Sequence, residues 1–199
     1  MRTSKAALLL AVLAVAGCDG GFNVTRTAPE RISLPDGTVV AGAQGWCVDT
    51  SSSRAKGTTA VVVLGSCAAI ARNALAPRPE VPGVVTVSVE SEAGPSPTTE
   101  ELETFLLTAQ GRAALARDGR SSSVQILETR REDDLLYLHS QDRNAAPGAA
   151  HDTWRALFDL DGRFVSVSLF GKMDRPIARS EGLATLEAQV DQLKAANDG

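Results

Sequence analysis

Apolar and polar positions alternate most regularly between Trp154 and Phe170. Trp154, Ala156, Phe158 and Leu160 interleave with Arg155 and Asp159, Asp161-Gly162 interrupts, and Phe164 to Phe170 alternates again. A period of two marks a strand with one buried face, and Asp-Gly suits a two-residue turn, so the segment predicts a β-hairpin. Beyond Pro176 the period becomes helical: Leu183, Leu186, Val190 and Leu193 recur three and four apart, behind Ser180 as a candidate N-cap. The closing helix is expected to lay this stripe on the sheet and to leave Gln189, on the opposite side, in water.

Upstream the runs are shorter. Ile32-Ser33-Leu34 and Thr38-Val39-Val40 flank Pro35-Asp36-Gly37 and read as a small hairpin. Trp46 to Val48, the β-branched run Ala60 to Leu64, and Val84 to Val89 read as strands, with Ser51 to Gly57 a polar loop. Thr98-x-x-Glu101 is a capping box ahead of Leu102, Phe105, Leu106 and Ala109, which predicts a helix of three turns or more. Val124 to Thr129 and Leu135 to Ser140 read as strands joined by Arg130-Arg131-Glu132-Asp133-Asp134, a charge run expected to form a solvated turn. Strands, a helix, consecutive strands and a closing helix give the class: α+β, a largely antiparallel sheet with two packed helices, in a single domain. From residue 84 to 196 this order of elements resembles PsbP/Mog1-like domains, a family of small sheet-and-helix modules that mostly bind partners. The resemblance rests on element order and assigns a role to no residue.

The N-terminus follows another pattern. Arg2 and Lys5 precede an apolar run from Ala6 to Ala16, too short for a bilayer-spanning helix, which needs about 20 apolar residues. Val15-Ala16-Gly17-Cys18 closes the run and resembles the lipobox of bacterial lipoproteins. That resemblance implies a leader over residues 1–17, a mature N-terminus at Cys18 carrying diacylglycerol and an amide-linked acyl chain such as palmitate, and a membrane partner reached through lipid. Asp19 resembles the signal that retains such proteins at the inner membrane, so the periplasmic face of that membrane is the expected location, with the outer membrane as the alternative. Residues 18–30 read as lipidated N-terminus and tether, and residues 31–199 as the periplasmic domain.

Charge and cysteines narrow the rest. The chain has 20 Lys and Arg against 24 Asp and Glu, and loses two of its cations with the leader. An acidic domain has no electrostatic reason to seek nucleic acid. With Cys18 committed to lipid, Cys47 and Cys67 remain in an oxidising compartment, where a structural disulfide is expected, a redox pair being the alternative. Ser53-Arg54-Ala55-Lys56 fits Ser-x-x-Lys, in which a lysine one helical turn away activates a serine, yet the surrounding residues read as a loop. His139, Asp142, His151 and Asp152 are the sole cluster of plausible metal ligands and lack the spacing of a metal motif. No Walker loop, dinucleotide fingerprint or Gly-x-Ser-x-Gly occurs. The expectation is a non-enzymatic binding module with no cofactor and no metal, contacting an envelope protein or a small ligand. An envelope hydrolase or transferase with a scattered active site is the alternative.

Overall fold

The computed structural model describes residues 27–198. The leader and lipobox, with Cys18 and Asp19, lie outside the described residues. Strands β1 (Arg31–Ser33) and β2 (Val39–Ala41) pair antiparallel around the expected Pro35-Asp36-Gly37 turn. Gly37 there takes φ +93°, a conformation glycine adopts without steric cost. Then come β3 (Trp46–Val48), β4 (Arg54–Lys56), β5 (Thr59–Ser66), the single turn α1 (Cys67–Ile70) and β6 (Gly83–Glu90). Helices α2 (Thr99–Leu106) and α3 (Ala109–Leu115) precede four long strands: β7 (Val124–Glu132), β8 (Leu135–Asp142), β9 (Ala149–Leu160) and β10 (Arg163–Lys172). α4 (Arg179–Ala195) ends the described chain.

Eight strands form one sheet in the order β3-β5-β6-β10-β9-β8-β7, with β4 paired to β5, and every pairing is antiparallel. The α+β class with an antiparallel sheet is thus as the pattern predicts, but the described residues contain four α-helices and not two. The helix behind the capping box breaks after Leu106. Thr108 caps a new helix there, accepting from Gly111 N at 3.0 Å, and a Cβ at Gly111 would collide with the backbone of Phe105 and Leu106. A disulfide joins Cys47 of β3 to Cys67 of α1 across a sequence separation of 20, a crosslink worth about 3 kcal/mol in the chain-entropy account.

Alternation divides the sheet into two faces. On the first, Val62, Leu64, Val85, Val87, Val89, Trp154, Ala156, Phe158, Val165, Val167 and Leu169 meet Leu186, Val190 and Leu193 of α4 in the main core. Three of the four residues of the predicted stripe are therefore buried, and Leu183 packs half-buried against the same core. Gln189 corrects the expectation: it is fully buried, donating through Nε2 to Ala41 O at 2.6 Å and accepting from Ala43 N at 2.9 Å. These are backbone groups where β2 ends, and burying them requires partners. The helix also starts one residue before Ser180, with Ala178 as N-cap and its N–H bonded to Glu181 Oε2 at 3.1 Å. On the second face, Leu136, Leu138 and Leu157 pack with Leu102, Leu106, Leu115 and Ile126 beneath α2 and α3, which stand over β7 and β8.

The charge run is also corrected. Arg130, Arg131 and Glu132 belong to β7, and only Asp133-Asp134 turns. Arg130 crosses to α4, where its guanidinium bonds Glu187, and it lies 4.7 Å above the Tyr137 ring.

Candidate functional site

The sheet brings titratable side chains together at two places, one on each face. On the first face, His139 of β8 lies opposite Trp154 of β9 and stacks on it, rings 4.9 Å apart and 5° from parallel. His139 Nε2 is 2.7 Å from Asp152 Oδ1, and Gln141 Nε2 donates to both Asp152 oxygens at 3.2 and 3.3 Å. Arg179, in the first turn of α4, donates to Glu128 through Nε at 2.7 Å, which holds the Glu128 carboxyl below its ordinary range. Burial pushes the Tyr137 phenol up to about 12. Gly182 lets α4 lie against the Trp154 indole, whose Nε1 is buried without a hydrogen-bond partner.

This resembles half of a catalytic set, an imidazole beside a carboxylate. General-base chemistry also needs a nucleophile and room for a substrate. The cavity bounded by Tyr137, His139, Trp154, Arg179, Leu183 and Leu186 measures about 20 Å³, space for one water molecule. The groups here hold one another along the seam between sheet and helix, with Arg179 and Asp152 still in contact with solvent.

The structure separates the remaining sequence candidates. His151 Nδ1 is 2.8 Å from the carbonyl of Asp142, on the opposite side of the sheet from the His139–Asp152 pair. Among the described residues no three His, Cys, Asp or Glu converge as a metal site would require. Ser53 enters β4 in extended backbone, so Ser-x-x-Lys here lacks the helical turn that motif uses, and the two Cα atoms stand about 10 Å apart. The Ser53 hydroxyl donates to Asp49 O at 2.7 Å and accepts from Val63 N at 2.9 Å, pinning the loop to β5. Asp49 in turn accepts from Ser51 and Ser52, whose hydroxyls lower its pKa.

The second face carries a different arrangement. Arg155, at the middle of β9, lies opposite Leu138 of β8 and Ser168 of β10. Thr153 sits two residues along β9, and Ser140 of β8 lies opposite Thr153. Ser140, Thr153 and Ser168 are 4, 6 and 3% exposed, so three buried hydroxyl residues surround one arginine. The Arg155 Nε is buried with no hydrogen-bond partner, and Arg155 joins none of the ion pairs among the described residues. Desolvation pushes its pKa down, opposed through space by Asp142. Each oxygen of Asp142 accepts one backbone hydrogen bond, from Arg117 N and Asn144 N at 2.8 Å each.

No protein family matches the chain, and no curated protein resembles it significantly. Function therefore has to be argued from the site. Toward the open edge the second face continues through Thr86, Ser88 and Ser166, which keep part of their surface in solvent while Val85, Val87 and Val89 behind them are fully buried. Sequence reasoning missed Arg155 because a polar residue alternating with apolar ones reads as solvent-facing. The faint signal was the pairing of small hydroxyl residues with it: Ser166 and Ser168 on one strand, Ser140 and Thr153 on its neighbours.

Proposed function

We propose that this protein is a non-enzymatic binding module held at the periplasmic face of the inner membrane by lipid on Cys18, with the second face of its sheet as the recognition surface. One observation carries the reading. The groups able to do chemistry, Ser53, His139, Asp152 and His151, are each hydrogen-bonded to a neighbour, whereas the Nε of half-buried Arg155 is out of solvent with no hydrogen-bond partner. A donor buried without a partner costs about 1–3 kcal/mol, and an anionic ligand offsets that cost.

The tether suits the same reading. Pro29 O accepts from Val48 N at 2.7 Å, so the described chain starts beside β3 at one edge of the sheet. From Cys18 to Thr27 the backbone spans at most about 30 Å. The domain would work within that distance of its membrane, on a small ligand or an envelope protein.

Three measurements test this. The mature protein extracted in detergent should have the mass of a lipid-modified chain starting at Cys18, and an unmodified terminus elsewhere would remove the anchor from the account. In membranes treated with a fluorophosphonate probe, Ser53 should stay unlabelled. Labelling of Ser53 would establish the hydrolase alternative. With Asp19 as the retention signal, Asp19→Ser should shift the protein toward outer-membrane fractions on a sucrose gradient.

A further inference from the structure

We infer that Arg155, with the hydroxyls of Ser140, Thr153 and Ser168, binds the oxyanion group, phosphate or carboxylate, of a soluble small molecule. The inference rests on the reading of the second face as the recognition surface and names the chemistry it recognises. Arginine presents five N–H donors in a planar fork, accepts no hydrogen bond and keeps its charge at any physiological pH. On an exposed loop such a side chain needs no partner but water. At the centre of β9, bonded on one side to β8 and on the other to β10, its Cα is fixed and its Nε is out of reach of solvent.

The surroundings select the sign and type of the ligand. Ser168 and Leu138 stand directly across from Arg155, about 5 Å away between Cβ atoms, and Ser140 and Thr153 form the next cross-strand pair on the same face. Hydroxyls rotate to donate to an anion, and together with a guanidinium they form a donor-rich cradle. The acids sharing the face do not fill it. Asp142 caps backbone amides of Arg117 and Asn144, and Asp159 accepts from Gly162 N at 2.8 Å and from the Ser96 hydroxyl. A cation would meet Arg155 head-on, and an apolar ligand would leave its Nε without a partner.

Position favours a soluble molecule over a lipid headgroup. β9 is third from the β7 edge, and α2 and α3 stand on β7 and β8 beside it. A flat bilayer surface laid on this face meets those helices first. A small molecule need not.

The test uses the full mature protein in detergent micelles, labelled with ¹⁵N, and titrates inorganic phosphate and, separately, acetate. The reporter is the Arg155 Nε–H resonance, identified by its loss in Arg155→Met. Saturable downfield movement of that proton with either anion supports the site, and the anion that saturates at lower concentration states whether phosphate or carboxylate is preferred. Arg155→Met should abolish the saturable shifts read at the Thr153 and Ser168 backbone amides, and Ser168→Ala should weaken binding by about tenfold, which keeps the test decisive if the arginine variant folds poorly. No saturable shift with either anion, or unchanged affinity in Ser168→Ala and Arg155→Met, overturns the inference. Native mass spectrometry of protein drawn from membranes separates the two levels. A co-purifying ligand that lacks an oxyanion and is lost in Arg155→Met would overturn the oxyanion assignment and leave the second face as the binding surface. No ligand and no shift would overturn both.

Discussion

Gln189→Ala is the substitution for which the sequence pattern and the structure disagree most sharply. The helical stripe puts Gln189 among surface positions, where truncation to alanine changes stability by no more than about 0.5 kcal/mol. In the structure the side chain is fully buried between α4 and the end of β2, donating to Ala41 O and accepting from Ala43 N. Truncation leaves a buried carbonyl and a buried amide without partners, at about 1–3 kcal/mol each, and opens a void. The expected loss is about 3–5 kcal/mol. With a urea m-value of about 2 kcal/mol/M, the midpoint falls by roughly 1.5–2.5 M at unchanged m. Gln189→Met separates the terms: it refills the space without bonding either backbone group, and should recover only the void's share, about 1–2 kcal/mol. Amide exchange at Ala43 should accelerate in both variants. A midpoint shift below about 0.3 M for Gln189→Ala, at the same m, would refute the reasoning, since it would mean that water reaches both backbone groups.

Gly182 is a second test of the same helix. A Cβ there would stand 2.6 Å from Nε1 and Cδ2 of Trp154, so Gly182→Ala should destabilise by about 1–3 kcal/mol against the roughly 1 kcal/mol that alanine gains over glycine in an open helix; a stabilised variant with unchanged Trp154 fluorescence would contradict the close approach. Asp118 accepts from the Arg120 amide and the Ser123 hydroxyl, which lower its pKa to about 2 from 3.8. A carboxyl depressed on folding stabilises fully above its unfolded pKa and loses that contribution as pH falls through its folded one. The stability gap between wild type and Asp118→Asn should therefore close between about pH 4 and pH 2, and an equal gap at both ends, read from urea melts, would exclude the effect.

Where local chemistry decides the structure, the chain is legible. Asp161-Gly162 between alternating runs forms the β9–β10 turn, with Gly162 at φ +77°, and the Thr98 capping box starts α2. The Leu186, Val190 and Leu193 stripe lies in the core because only one side of an amphipathic helix can leave water. The parts that escaped are those whose partner lies far along the chain. Arg130 belongs to a strand and not to a solvated turn because Glu187 and the Tyr137 ring receive it. Gln189 is buried because β2 ends with unpaired groups 146 and 148 residues away. Arg155 is of the same kind: alternation placed it on the correct face, but only the register shows which residues surround it.

The central claim is that Arg155 serves a ligand and not the fold, and the thermal melt of Arg155→Met tests it most directly. A methionine occupies similar length without charge, and it removes the Nε donor that is buried without a partner, a burden of about 1–3 kcal/mol. At roughly 2–4 °C per kcal/mol for a chain of this size, Tm in anion-free buffer should rise by at least about 2 °C. If Arg155 instead holds the sheet together through its own contacts, the variant melts below the wild type, and a fall of more than about 2 °C in the same buffer would contradict the account.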